Sequence, residues 1–338
     1  MIRDLDGNKI NLCESPNGHV LVLGKSGMGK TYFACRQIET EISRRQKVLL
    51  IDFSYSYTQS ELHKAKFRYM EKTKTFSLYT EEMKWIYRGD NMEQAILQVL
   101  LRTLAVKSYY QKKLLQEAVH KSISGEGFSL PLLKKVLEDF LNVKENPREV
   151  ENILHLLTRL EPFAEIDKIR VCVTEEVPTP RPLTILQLSD YPEHQRKFLT
   201  EFLAGLFWEE LCQKKKRADV IVFDEFQNMS LSAGRALSSM LREGRKHGVK
   251  VFLMTQFLGE RNKDEFDTLM QVGNMLFFRP VPKDLATVSK LIEVDKKWSK
   301  TLKKLDVGEM VLIGSYIING KKKKLHRPII CRVEEVIL

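Results

Sequence analysis

The sequence lacks the cysteine and histidine patterns of metal centres and of disulfide-rich proteins. Its five cysteines are Cys13, Cys35, Cys172, Cys212 and Cys331, and no two stand at C-x-x-C spacing. The seven histidines are scattered singly, without an H-E-x-x-H pair. A structural zinc site and a metalloprotease-type centre therefore find no support in the sequence. Because each cysteine has apolar neighbours, we expect buried, reduced thiols.

Long apolar runs are also missing. No segment approaches the roughly 18–20 apolar residues that a membrane-spanning helix needs. The first residues, MIRDLDGNKINL, are acidic and polar, whereas a secretory signal is basic and then apolar. The sequence therefore predicts a cytoplasmic protein with no membrane span of its own.

Positive charge is present in excess. Lys and Arg number 55 against 44 Asp and Glu, which gives a formal net charge of +11. Residues 296–338 hold 11 of the basic residues (296, 297, 300, 303, 304, 321–324, 327, 332) against four acidic ones (306, 309, 334, 335), so this segment alone carries +7. The excess favours a polyanionic partner, although lysines on a solvated helix face would give the same pattern.

Short apolar runs alternate with helix-like segments in two parts of the chain. Strands are predicted at 19–23, 48–53, 184–188, 219–224, 249–254 and 274–278, and helices at 30–45, 194–214, 233–246 and 263–271. Continuously apolar strands are typical of a parallel sheet that is buried on both sides. We therefore expect an α/β fold with a mostly parallel sheet, helices on both faces, and a short β tail over 308–338.

The middle of the chain has a different character. Helices are predicted over 92–110, from Ser129 to about 141, and from Pro147, and no catalytic constellation appears among them. We expect residues 58–182 to form a mainly helical insertion. Residues 1–57 and 183–338 would then form one discontinuous core domain.

One loop motif has a specific chemistry. Residues 24–31 satisfy the pattern G-x-x-x-x-G-K-[ST] in full, between a predicted strand and a predicted helix. Its glycines allow backbone N–H groups to surround phosphate oxygens, and the helix amino terminus adds a positive dipole end. Lys30 would contact the β- and γ-phosphates of ATP, and the Thr31 hydroxyl would coordinate Mg²⁺. The predicted phosphate-binding residues are Gly24, Lys25, Ser26, Gly27, Met28, Gly29, Lys30 and Thr31.

A second strand ends in two carboxylates, Asp224 and Glu225. Parallel α/β sheets bind ligands at the carboxyl ends of their strands, so these acids are expected beside the phosphate loop. Asp224 suits the acid that holds Mg²⁺, directly or through water. Glu225 suits the group that polarises the attacking water as a general base. Acids often follow strands, so this interpretation depends on the loop motif upstream.

Gln256 and three arginines are further candidates. Gln256 follows the strand at 249–254 and could contact the γ-phosphate or the attacking water, although a glutamine there could equally cap a helix. Arg245 could act as an arginine finger on the ATP of a neighbouring subunit. The alternative is a favourable partner of a helix dipole that ends at Gly248. Arg242 and Arg279 are alternative candidates for the arginine finger.

These elements together resemble the HerA/FtsK superfamily of P-loop ATPases. The resemblance rests on the loop motif, Phe223-Asp224-Glu225-Phe226, the block Arg242-Glu243-Gly244-Arg245-Lys246-His247-Gly248 and Thr255-Gln256, which occur in this order. The segment Ile51 to Tyr57 is similar to the second strand of the family and its Asp-containing end. The resemblance covers approximately residues 10–57 and 183–315.

The resemblance implies a RecA-like core with an extra strand between the phosphate-loop strand and the acidic strand. It also implies a homo-hexameric ring that moves DNA, in particular duplex DNA, through its pore by hydrolysing ATP. By motif match Asp224 and Glu225 take the metal and water roles, Gln256 the sensor role and Arg245 the finger role. The DNA contacts would be lysines of the middle region or Lys296, Lys297, Lys300, Lys303 and Lys304.

Two departures from the superfamily leave other functions open. The segment before Gly24 is too short for the β-barrel of HerA proteins, and the membrane helices of conjugative coupling proteins are absent. The alternatives are a protein-secretion or pilus-type transport ATPase, and an ATPase scaffold for a partner nuclease or defence effector.

Overall fold

The computed structural model describes residues 2–12, 17–174, 181–293, 297–324 and 327–334. The strands are β1 (Ile2–Asp4), β2 (Lys9–Leu12), β3 (Val20–Leu23), β4 (Val48–Asp52), β5 (Thr73–Ser77), β6 (Met83–Ile86), β7 (Ile169–Cys172), β8 (Leu183–Gln187), β9 (Val220–Phe223), β10 (Lys250–Thr255), β11 (Asn274–Phe277), β12 (Glu309–Ile318), β13 (Lys321–Lys324) and β14 (Ile329–Val333). The helices are α1 (Lys30–Ser43), α2 (Gln59–Lys64), α3 (Met92–Thr103), α4 (Tyr109–Ser122), α5 (Leu130–Val143), α6 (Pro147–Leu160), α7 (Glu193–Cys212), α8 (Ala236–Glu243), α9 (Lys263–Leu269), α10 (Leu285–Ile292) and α11 (Lys297–Lys304).

One large sheet contains the six predicted core strands and β5 in the order β11-β3-β10-β9-β4-β8-β5, all parallel to their neighbours. β10 therefore separates the phosphate-loop strand β3 from the acidic strand β9, as expected. On the other side β12 pairs antiparallel with β11, and β2, β1 and β14 continue antiparallel. The expectation of a mostly parallel sheet is thus correct only for the part that carries the loop motif.

The parallel strands are buried on both faces, which explains their continuous apolar sequence. Alternate residues enter two separate cores, because side chains alternate between the faces of a strand. Val20 and Val22 pack in the core that includes Phe33 of α1. Leu21 and Leu23 pack in the core that includes Phe207 of α7. Helices therefore cover both faces, in agreement with the predicted α/β class.

Residues 58–182 contain helices α2 to α6 together with strands that the sequence pattern does not reveal. β5 joins the main sheet as its edge strand, parallel to β8, and β6 and β7 form a separate two-stranded parallel sheet. β5 is only half-buried and reads Thr-Lys-Thr-Phe-Ser, so it lacks the apolar run that marks the central strands.

The helix predicted over 92–110 is two helices. α3 ends at Thr103 and α4 begins at Tyr109. Between them Ala105 has a left-handed backbone (φ 51°), which ends the first helix, while Leu104 and Val106 are buried. The apolar spacing continues across this turn because both sides of it face the same core. Periodicity alone therefore could not locate the break.

The expectation of buried cysteines is correct in part. Cys35 and Cys331 are buried, but Cys172 is half-buried and Cys212, the last residue of α7, is exposed. Cys13 lies outside the described residues. Among the described helices, none is both long enough and apolar enough to cross a lipid bilayer.

His19 connects the amino ends of three neighbouring parallel strands, β3, β10 and β11, through hydrogen bonds. It precedes β3 and is 1% exposed. Its Nδ1 accepts the backbone N–H of Val251 in β10 at 3.0 Å, and its carbonyl accepts the N–H of Asn274 in β11 at 3.1 Å. Burial lowers the pKa of His19 to about 4, and the nearby charge of Arg245 acts in the same direction.

This pKa predicts a loss of stability at mildly acidic pH. The unfolded chain binds a proton at His19 near pH 6.5, whereas the folded chain does so only near pH 4. The free energy of unfolding should therefore fall by about 3 kcal/mol from this group as pH drops through that window. Urea denaturation at pH 7 and pH 4 should show that His19→Gln has lost this part of the pH dependence. His155→Gln, at an exposed position of α6, should keep it, and equal pH dependence in both variants would contradict the assignment.

Candidate functional site

The loop between β3 and α1 has the backbone of a phosphate cradle. Gly27 (φ 77°) and Gly29 (φ 95°) lie in the left-handed region, which glycine adopts without strain. Gly29 is also the N-cap of α1. Gly24 has no room for a side chain, since a Cβ there would lie 2.5 Å from the Cβ of Phe278.

Two backbone hydrogen bonds anchor the start of this loop to neighbouring strands. The N–H of Gly24 donates to the carbonyl of Thr255, at 3.2 Å, and the N–H of Lys25 donates to the carbonyl of Arg279, at 2.9 Å. The backbone N–H groups of 26–29 donate no hydrogen bond within the described part of the chain. Unsatisfied N–H groups next to a helix amino terminus suit an anion such as phosphate.

The loop opens on a cavity of about 310 Å³ at the carboxyl ends of β3, β9 and β10. The predicted residues that line it are Ser26, Gly27, Gly29, Lys30, Thr31, Asp224, Glu225 and Gln256. Gly24, Lys25 and Met28 shape the loop without lining the cavity; the Met28 side chain packs in the core beneath it. The fold thus brings together the loop, both carboxylates and the candidate sensor.

Glu225 is held between two glutamines. Its backbone is left-handed (φ 51°), an uncommon conformation for a glutamate that costs on the order of 1–3 kcal/mol and often occurs at functional sites. Gln256 Nε2 donates to Glu225 Oε1 and Gln227 Nε2 donates to Oε2, each at 2.6 Å. Thr255 Oγ1 in turn donates to the amide oxygen of Gln227. Both carboxylate oxygens are therefore oriented by glutamines that follow two neighbouring strands, β9 and β10.

The loop after β4 supports Asp224. Asp52, fully buried, accepts the N–H groups of Ser56 and Tyr57 at 2.9 and 3.0 Å and so folds the loop back on itself. This turn places the Ser54 hydroxyl where it donates to Asp224 Oδ2. Burial raises the pKa of Asp224 to about 8, and the charges of Asp52 and Glu225 add to the effect.

Lys30 lies among these carboxylates. Its Nζ donates to the Lys25 carbonyl at 3.1 Å. Burial lowers the pKa of Lys30, whereas the charges of Glu225 and Asp224 oppose that shift. Lys30 therefore offers positive charge to a phosphate, while Asp224 and Glu225 offer carboxylate oxygens to a divalent cation in the same cavity.

Thr31 and Asp224 line the cavity from facing elements, and hydroxyl and carboxylate oxygens are ligands that Mg²⁺ prefers. The described residues contain no group of three or more His, Cys, Asp or Glu side chains that could hold a metal by themselves. The residues present therefore fit a metal bound mainly through substrate phosphates, which is how Mg²⁺ is usually held.

Sequence reasoning missed Gln227 and the residues after β4. Gln227 follows Glu225 by two positions and carries no motif of its own, so only the contact with Oε2 identifies it. Ser56 and Tyr57 line the cavity, and their signal was the Asp-containing strand end at 51–57.

The three arginines lie at opposite edges of the sheet. Arg245 is exposed in a 3-10 turn directly before β10, so the six residues of that strand, about 20 Å, separate it from Gln256. Arg242 donates to Thr268 Oγ1 at 2.9 Å. Arg279 follows β11 at the edge of the phosphate loop, and its Nε donates to the Leu305 carbonyl at 2.8 Å.

A family model for the central domain of the helicase HerA matches residues 9–206. VirB4 of Thermoanaerobacter pseudethanolicus has a similar structure (TM-score 0.69, 14% identity, 98% of this chain and 95% of that one). The bacterial conjugative coupling protein TrwBΔN70 in its unbound form also has a similar structure (TM-score 0.66, 11% identity, 94% of this chain and 84% of that one).

TrwB in complex with the non-hydrolysable ATP analogue ADPNP is similar as well (TM-score 0.66, 12% identity, 94% of this chain and 85% of that one). At these identities the structures establish a shared fold. No curated protein sequence matches the chain.

The contact between Gly24 and Phe278 generates a stability prediction. Gly24→Ala should lower the free energy of unfolding by about 1–3 kcal/mol, because the added methyl group overlaps the Phe278 Cβ. Gly125→Ala is the matched control, since no atom lies within 4 Å of its Cβ position. Urea denaturation measures both, and equal losses in the two variants would show that the close approach is not what requires glycine at residue 24.

Proposed function

The chain belongs to the family of the HerA helicase central domain, and on this premise we propose that it is an ATP-driven motor that translocates DNA. It is a P-loop ATPase. The observation that carries the proposal is Glu225, clamped by Gln256 and Gln227 at the mouth of the phosphate loop. This arrangement suits hydrolysis of a bound nucleotide rather than binding alone.

The candidate residues of the cavity have distinct roles in the proposed reaction. The N–H groups of 26–29 and the Lys30 ammonium bind the phosphates of ATP. Thr31 and Asp224 hold Mg²⁺, which when bound neutralises charge on the phosphate oxygens. Glu225 orients the attacking water and accepts its proton. Gln256 contacts the γ-phosphate, so the position of β10 depends on whether that phosphate is present.

Arg245 completes the site of a neighbouring copy. It lies about 20 Å from Gln256 of its own chain, at the other edge of the sheet, and it is exposed. A head-to-tail contact between copies would bring this edge to the next copy's cavity, and such contacts close into rings. The expected assembly is a homo-hexamer with the ATP sites between subunits.

The DNA substrate is supported by the family and by the net charge of +11. TrwB, whose fold this chain shares, is a conjugative coupling protein. A protein-transport ATPase would keep the same nucleotide site, so the response to DNA separates the two.

The substrate is tested by measuring the rate of ATP hydrolysis with and without duplex DNA. The mass of the oligomer is measured under the same conditions. A DNA motor should hydrolyse ATP several-fold faster with DNA and should do so as a ring. Glu225→Gln should retain ATP binding and hydrolyse about 10²–10⁴-fold more slowly, which identifies the activity as this site's own. Glu260→Gln, at an exposed position after β10, is the control and should match the parent. A ring that hydrolyses ATP at the same rate with and without DNA would favour the protein-transport or scaffold alternative.

The finger is tested by mixing two inactive variants. Arg245→Ala should lose about 10³-fold or more in kcat while its monomer keeps its ATP affinity, as expected for a residue acting on another subunit. A 1:1 mixture with Glu225→Gln should recover up to about one quarter of the parent activity, since that share of interfaces combines an intact Glu225 with an intact Arg245.

The control mixture is Arg245→Ala with the double variant Glu225→Gln/Arg245→Ala, which contains no intact interface and should stay inactive. Normal turnover in Arg245→Ala alone would transfer the finger role to Arg279 or Arg242.

A further inference from the structure

A second, larger cavity of about 1020 Å³ lies at the amino ends of β9, β4, β8 and β5. It is on the opposite edge of the sheet from the phosphate loop. The small sheet of β6 and β7 forms its other wall, through residues such as Met83 and Trp85, and Leu49 and Leu186 contribute apolar surface from the main sheet.

Basic residues stand at the start of all four main-sheet strands at this cavity. Lys47 directly precedes β4 and Lys72 directly precedes β5, while Arg181 lies two residues before β8 and Arg217 three before β9. The strands pair in register at these ends. Because neighbouring strands are about 4.8 Å apart, the row of cations extends over about 14 Å.

Most of this positive charge has no carboxylate partner among the residues that the structure describes. The lining cations that form no ion pair with any carboxylate in the described part of the chain are Lys47, Lys72, Lys74, Lys84, Arg88 and Arg181. Glu82, the carboxylate that lines the cavity, is paired with Arg170 at 2.9 Å. Nearby Glu210 is already bound by Arg217 at 2.6 Å. Like charges collected around one cavity repel one another, so an anionic ligand would stabilise the arrangement.

The aromatic rings of the cavity are covered by cations. Lys74 Nζ lies 4.4 Å from the ring centre of Phe76, and the Arg217 guanidinium lies 4.0 Å from that of Trp85. Trp85 is 3% exposed. A nucleic-acid base therefore cannot stack on Phe76 or Trp85, and a ligand would be bound mainly by the positive charge of the lining residues. Charge without stacking suits phosphates rather than bases.

We propose that this cavity binds the phosphate backbone of one nucleic-acid strand, as a contact of the motor with its DNA. The inference rests on the proposed function and adds the place of contact. A row of about 14 Å is long enough to face several consecutive phosphates of one strand. The volume exceeds the 310 Å³ of the nucleotide cavity threefold, which also suits a chain rather than a single phosphate.

The test removes three cations from the cavity and three from elsewhere. The cavity variant is Lys72→Gln/Lys74→Gln/Lys84→Gln. The control is Lys107→Gln/Lys112→Gln/Lys113→Gln, three exposed lysines at the start of α4 that pair with no described carboxylate. Both triple variants have the same net charge. A third variant, Lys72→Arg/Lys74→Arg/Lys84→Arg, keeps the charge of the cavity.

Binding of a labelled single-stranded oligonucleotide and of its duplex is measured between 50 and 300 mM salt. The slope of log Kobs against log salt should become shallower by about two in the cavity variant, since each lost contact removes about 0.7–0.9. The control and the arginine variant should keep the parent slope. ATP hydrolysis without DNA should be unchanged in all three, because none of these residues lines the nucleotide cavity.

The outcomes separate this inference from the function on which it rests. If the parent binds DNA and the cavity variant keeps its slope, the inference is overturned and the DNA motor stands. If the parent binds neither oligonucleotide at low salt, the DNA substrate and this site are both overturned. Equal loss of slope in the cavity and control variants would assign the effect to net charge and would also overturn the site.

Discussion

The structure depends on keeping two adjacent carboxylates, Asp224 and Glu225, at the end of a fully buried strand. Removing an ionised carboxylate from water is costly unless hydrogen bonds or opposite charges replace the lost solvation. Here Ser54 donates to Asp224, Gln256 and Gln227 donate to Glu225, and Lys30 lies nearby. These donors come from four separate segments, so the site exists only when β3, β4, β9 and β10 are assembled.

The same sheet separates two kinds of chemistry. At its carboxyl edge lie the phosphate loop and the carboxylates, where a nucleotide would be hydrolysed. At its amino edge lie the exposed Arg245 and the basic cavity. β10 connects the two edges, since Gln256 follows its last residue and Arg245 lies five residues before its first. In the proposed ring, this strand would link the state of one ATP site to the edge that contacts the next subunit.

The proximity of the candidate residues was more predictable from the sequence than the surrounding architecture. The loop motif, Asp224, Glu225 and Gln256 are adjacent in space because motif residues at strand ends must meet at one edge of a parallel sheet. β5 and the break between α3 and α4 were not predictable in this way. An edge strand need not be apolar, and the apolar spacing of two helices on one core continues through the turn between them. Gln227 was missed because its role consists of one contact.

The basic segment at 296–338 shows a limit of charge counting. The sequence places the largest net excess there, whereas the cations of the basic cavity that have no ion pair among the described residues come from positions 47, 72, 74, 84, 88 and 181, which are far apart in the chain. Lys296 and the side chains of 297 and 321–324 lie outside the described residues.

The sequence by itself determined the phosphate loop, its acids and the α/β class, because these depend on local patterns and strand order. Only the tertiary structure decided which glutamine holds which carboxylate oxygen, which arginine lies away from its own site, and where cations gather. Those are distances between residues remote in sequence, and packing sets them.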